Sequence, residues 1–227
     1  MPCVRICGGC YTAADAAYPR WRMSSPAAPP DNGRLLQLSD GVFAVAITLL
    51  VFGLNAPNPR SVPPAQLAGA LRDQAPHIVS FALSFIVIGQ FWTIHHRIFR
   101  YVKSHDGGLI WLNMALLLAV SFLPYPTTVM GSYSSSPLAV ALYGASMGVT
   151  SLLQNALWLY ARRDPRLTHE VIPARVTRYY PLRGFSSALV FLLSIPLAWL
   201  HPRVAQASWL LIPVAFFVIS RRLPSDD

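Results

Sequence analysis

Six times along its 227 residues this chain runs apolar for close to the length a helix needs to cross a membrane, over 34–54, 77–96, 108–129, 137–160, 184–200 and 204–220. A hydrocarbon core of about 30 Å takes about 20 helical residues. The runs are continuous rather than alternating, so they read as helices and not as strands of a barrel. Charged residues make up 12% of the chain, about half the usual share of a soluble domain. The reading is an all-α integral membrane protein with six transmembrane helices. Residues 1–33, rich in Ala, Pro, Gly and Arg without periodicity, predict a disordered cytoplasmic tail. The transmembrane domain occupies 34–222, a short tail follows at 223–227, and no length remains for a soluble domain.

The net charge of +9 has two candidate explanations, nucleic acid and membrane topology. The basic residues sit between the apolar runs rather than in one patch, which excludes a nucleic-acid surface. With a cytoplasmic N-terminus and six spans, fifteen of the eighteen basic residues fall on the inner side. Only Arg60, Arg72 and Arg203 remain outside. That bias orients the chain with both termini in the cytoplasm of a cell membrane. Cys3, Cys7 and Cys10 crowd the first ten residues and have no further cysteine to pair with; Met23 is a second candidate start that would remove them.

The first run, RLLQLSDGVFAVAITLLVFGL, carries Asp40, the one acid of the chain inside a long apolar segment. A charge at membrane depth costs about 2.5–3.5 kcal/mol on insertion scales, so it wants a partner or a task. Two readings stand: an ordinary membrane helix tolerating one polar group, or an acid with a role. At about 100° per residue, Gly41, Val45, Thr48 and Phe52 form one narrow stripe, and Asp40 lies about 140° from Val45. On the second run Trp92 and His96 are four apart and share a face. Asp40 on helix 1 and this pair on helix 2 lie at similar depth, which predicts a buried network with Trp92 or His96 donating to the acid.

Other chemistry finds little support. His95, His96 and His105 lack the repeated spacing of a metal site, so no metal and no cofactor is expected. No hydrolase motif appears, which reads as no enzyme. No helix carries arginines at every third position, and no re-entrant filter loop joins two helices. If the chain conducts ions, selection has to come from side chains such as the Val45, Thr48 and Phe52 stripe.

The segment from Arg34 through Leu38, Ser39 and Asp40 resembles the RxxxFSD signature of the lysosomal potassium channel family (transmembrane protein 175), in its bacterial branch. Leu38 replaces the signature's Phe. The continuation GVFAVAITLLVFGL and the Trp92…His96 pair followed by Arg97 are similar too. The resemblance implies a homotetramer with helix 1 of each copy around a central pore. It implies a hydrophobic constriction at Val45, with Thr48 and Phe52 following outward, and a structural network of Arg34, Ser39, Asp40, Trp92 and His96 holding the pore helix. The function expected is passive, potassium-permeable conduction that also admits other monovalent cations, in contact with membrane lipid. A proton- or cation-coupled transporter using Asp40 is the alternative.

Overall fold

The structure is a computed structural model and describes residues 5–6, 9–10, 32–169 and 172–222. The expected tail at 1–33 falls largely outside the described residues, as do 223–227, Cys3 and Cys7. Within it, two-residue strands β1 (Arg5–Ile6) and β2 (Gly9–Cys10) pair antiparallel. Everything else with regular structure is helical.

Helix α1 (Asn32–Leu49) tightens into a 3₁₀ turn over Leu50–Gly53, just before the proline-rich 55–64 loop whose missing amides cannot continue it. A short helix, α2 (Leu67–Asp73), precedes α3 (Ala75–Phe99). α3 starts at the residue before Pro76, since a proline in the first turn gives up no helical hydrogen bond. α4 (Gly107–Phe122) breaks at Leu123 and resumes as α5 (Pro124–Ser132), as the two prolines of that stretch require. α6 (Pro137–Ala161) and α7 (Ala174–Leu200) follow, and the last run splits into α8 (Pro202–Ser208) and α9 (Leu211–Arg222).

One expectation changes. α7 begins ten residues before its apolar run, inside what the sequence presents as a polar loop over 161–183. Its first turns are amphipathic: Val176, Tyr179 and Tyr180 are buried while Arg178 faces out, and the Tyr180 ring meets Trp158 edge-on at 5.6 Å. Helices lie where all six spans were expected, one of them less apolar than the rest. Five helical stretches among the described residues are long and apolar enough to cross a membrane, Asn32–Gly53, Ala75–Phe99, Gly107–Ser132, Val176–Leu200 and Pro202–Ile219. The sixth expected span, at 137–160, forms α6, which has the length but carries Ser146, Thr150, Ser151, Gln154 and Asn155.

Those polar residues suit a helix enclosed by others. Tyr143, Met147, Leu157 and Trp158 of α6 are fully buried against the surrounding helices. Gln154 donates to the Phe91 carbonyl at 2.7 Å, and Asn155 to the Pro181 carbonyl at 3.2 Å. In lipid, apolar burial does not drive helices together, so close packing and such bonds must do so. Gly144 and Gly148 supply the close packing, one turn apart on the side facing α7. A methyl group built on Gly144 would stand 2.9 Å from Ser194 Oγ and 3.0 Å from the Phe191 carbonyl.

The connections at one end are stitched together. Val102 and Thr168 form an isolated antiparallel bridge, and the Lys103 amide donates to the Leu167 carbonyl at 2.8 Å. Asn32, at the start of α1, donates to the Val102 carbonyl at 3.0 Å, while His105 Nδ1 donates to its side-chain oxygen at 2.8 Å. Asp106 caps α4 by accepting the Leu109 amide at 2.8 Å and the Tyr160 hydroxyl at 2.7 Å. These two bonds, the Leu109 amide first, hold its carboxyl below the usual carboxylate range.

Gly144→Leu should lower the melting temperature in detergent well below that of Gly89→Leu, because nothing lies within 4 Å of a methyl group at Gly89. Overpacking of this kind costs about 1–3 kcal/mol; equal melting of the two variants would contradict the close α6–α7 contact. Asp106→Ala should cost about 1 kcal/mol at neutral pH, the typical loss of an N-cap. A depressed carboxyl stabilises above its unfolded value of 3.8 and loses that effect as pH falls through the folded value. The gap between wild type and variant should therefore close on acidification below that point, as read by melting curves across pH.

Candidate functional site

α1 is the helix on which the site is built, and its residues sort into two faces. Ser39, Phe43, Ala46 and Leu50 recur at helical spacing and are buried against the bundle. Gly41, Val45, Thr48 and Phe52 face away and have no cover among the described residues, Val45 being 55% and Phe52 77% exposed. A shallow groove of about 470 Å³ runs along Gln37, Leu38, Gly41 and Val45 as far as Ser121 of α4. The Thr48 hydroxyl donates to its own helix, to the Val45 carbonyl at 2.9 Å, so it presents lone pairs rather than a free proton. Phe52 lies in the 3₁₀ turn, which rotates it from the place that uniform α-helical winding predicts.

On the bundle side, two separate polar links hold α1. The first is fully buried. Ser39 Oγ donates to the Leu35 carbonyl at 2.9 Å and accepts from Asn113 Nδ2 at 3.0 Å. Asn113 Oδ1 then pairs with His95 Nε2 at 2.9 Å. Because the Asn113 amide nitrogen is spent on Ser39, its oxygen must accept, and that assigns the imidazole proton to Nε2. Phe99 stacks on the His95 ring at 4.5 Å and Phe43 lies tilted at 5.4 Å, leaving buried Nδ1 without a partner. The second link is half-exposed: Trp92 Nε1 donates to Asp40 Oδ1 at 2.8 Å.

Chain relationships agree with this geometry. Residues 34–124 match the family described as the endosomal/lysosomal potassium channel TMEM175. A potassium channel of Streptomyces collinus is 33% identical over 182 residues, covering 78% of this chain and 87% of the relative. The chain belongs to the TMEM175 family. The crystal structure of a lysosomal potassium-selective channel TMEM175 homologue from Chamaesiphon minutus superposes with a TM-score of 0.71 at 26% identity, covering 85% of this chain and 98% of that one. The human endosomal/lysosomal proton channel TMEM175 is 25% identical over 180 residues, a stretch amounting to 74% of this chain and 35% of the human protein.

The chain is therefore a multi-pass membrane protein of an ion-channel family, as the resemblance at Arg34–Asp40 implies. Both polar links, the bare stripe and the Arg34 signature lie within the matched residues 34–124. Of the residues singled out from the TMEM175-like pattern, Asp40 and Trp92 are brought together. Ser39 is drawn into the separate, buried link. Arg34 is exposed and makes no hydrogen bond among the described residues, and His96 lies beside the Trp92 ring at 5.7 Å on the exposed face.

The histidine inside the bundle is instead its neighbour His95. Its place was readable from the spacing of Ser84, Ile88, Phe91, His95 and Ile98, the buried stripe of α3. Asn113 could have been found as the lone amide in the run LIWLNMALLLAVSF. Among the described residues no three of His, Cys, Asp and Glu gather to hold a metal, and His105 is engaged with Asn32.

Asn113→Ala leaves the His95 ring buried without a partner and takes one donor from Ser39, which keeps its bond to Leu35, and should cost about 1–3 kcal/mol. Trp92→Phe removes one half-exposed bond and should cost no more than about 1 kcal/mol. Thermal unfolding of the two variants in one detergent checks the ranking, and a larger loss for Trp92→Phe would reverse it.

Proposed function

We propose that the chain is a passive, potassium-permeable cation channel in which four copies place α1 around a shared axis. The observation that carries this reading is the division of α1: one face is tied into the bundle, while the opposite face bears no charge and no cover. In a fourfold ring, Val45 forms the narrowest girdle, with Thr48 and Phe52 following outward. A ring of such side chains leaves a path that dewets easily and admits an ion only when wide enough to keep part of its water. Selection by a ring of backbone carbonyls is not required.

Of the expected network Arg34, Ser39, Asp40, Trp92 and His96, the residues that brace the pore helix from behind are Ser39, through Asn113 and His95, and Asp40, through Trp92; Arg34 and His96 stay on the exposed side. Potassium as the permeant ion is supported by the names of the bacterial relatives, and other monovalent cations pass beside it in this reading. The positive-inside distribution supports a cell-membrane protein with both termini cytoplasmic. Conduction involves no covalent step, so the chain acts as no enzyme. A coupled transporter would need Asp40 on the ion path, but Asp40 holds the Trp92 indole about 140° around the helix from Val45.

Purified protein in liposomes should pass potassium down its gradient without a pH gradient, and Val45→Ala should change that flux by widening the girdle. Silence in both forms would overturn the channel reading. Asp40→Ala should lower assembly and leave ion preference intact. An altered preference in normally assembled protein would put Asp40 on the path, and uptake driven by a pH gradient and lost in Asp40→Asn would favour the transporter.

A further inference from the structure

A second feature lies far from the α1 stripe, where α3, α7 and α9 diverge. An apolar cavity of about 230 Å³ opens there, walled by Leu83, Val87 and Ile94 of α3 and by Trp209, Ile212 and Phe216 at and within α9. Gln90 also lines it. Along α3 it extends from Leu83 to Ile94, a rise of about 16 Å. The buried indole N–H of Trp209 has no hydrogen-bond partner.

At its basic end the cavity adjoins a smaller polar recess lined by Trp158, Gln154, Asn155 and Arg183, the two sharing Phe91, Ile94 and Ser187. The Arg183 guanidinium stacks over Phe216, 4.0 Å from the ring centroid, and donates through Nη1 to the Tyr179 hydroxyl at 2.8 Å. Its Nε is buried and bonds to nothing, as does the Trp158 indole N–H beside it. Among the described residues no carboxylate pairs with Arg183.

The depth of Arg183 is informative. The apolar run of α7 starts at the next residue and continues to Leu200, a rise of about 25 Å, close to the thickness of a hydrocarbon core. Arg183 therefore lies at headgroup level, on the arginine-rich side. A guanidinium there without a counter-ion is costly, and it offers a planar fork that suits a phosphodiester.

We infer that this groove holds an anionic phospholipid of the leaflet at the arginine-rich end, its phosphate on Arg183 and one acyl chain between α3 and α9. The inference stands apart from the pore assignment, since none of these residues belongs to the α1 stripe.

Native mass spectrometry of the detergent-purified assembly tests it, with palmitoyl-oleoyl phosphatidylglycerol, the matching phosphatidylcholine and oleic acid as probes. Phosphatidylglycerol should be retained about tenfold better than phosphatidylcholine, which carries the same phosphate but a cationic choline that competes with Arg183 for it and leaves no net charge. Arg183→Gln should abolish the margin and Arg183→Lys keep most of it, while Ile212→Trp, which fills the groove, should lower retention of both lipids. Equal retention of the two lipids by the wild type would overturn the inference, as would a margin that survives Arg183→Gln. Oleic acid competing as well as phosphatidylglycerol would make the occupant a fatty acid, and a change of subunit number in Ile212→Trp would make it another copy of the chain. Should Arg183→Gln fail to fold, the wild-type comparison and Ile212→Trp still decide.

Discussion

A single carboxamide holds the most constrained helix of this protein in place. Asn113 spends its nitrogen on Ser39 and its oxygen on His95, so α1, α3 and α4 meet through one side chain whose donor and acceptor are both used. In water such a chain would contribute little. Among lipid tails the apolar surfaces of helices have no reason to prefer one another over lipid, and directional bonds gain weight in choosing the neighbour and its rotation. The aromatic rings of Phe43 and Phe99 complete the seal around the imidazole.

That fixed rotation gives α1 its meaning. With Ser39, Phe43, Ala46 and Leu50 turned inward, the opposite residues are left exposed among the described residues. The Asp40–Trp92 bond lies to the side of the bare stripe rather than on it, so the helix carries an acid and still keeps that stripe uncharged. An uncharged, uncovered face on a well-anchored helix is the arrangement that a pore built from several copies needs.

α6 plays the complementary part. It is long enough to span the membrane yet rich in polar residues, of which Ser151, Gln154 and Asn155 are met by neighbouring helices. Gly144 and Gly148 let α7 approach closely enough for van der Waals contact to substitute for the missing hydrophobic drive. The cost of that centrality shows in its C-terminal half, where the packing leaves the Trp158 indole and the Arg183 guanidinium short of partners.

Much of this was legible in the residues alone. Continuous apolar runs dictate helices in a membrane, because no other structure satisfies the backbone there. The arginine distribution orders the loops, and the spacing of Val45, Thr48 and Phe52 separates them from Asp40. Other features depended on contacts between helices distant in sequence. Whether His95 or His96 enters the bundle is a matter of about 100° of rotation of α3, decided by where Asn113 stands on α4. The helical start of α7 depended on Trp158 being there to receive Tyr180. Whether α6 lies inside the bundle or faces lipid depended on partners for its amides, and a single-helix pattern contains no record of partners.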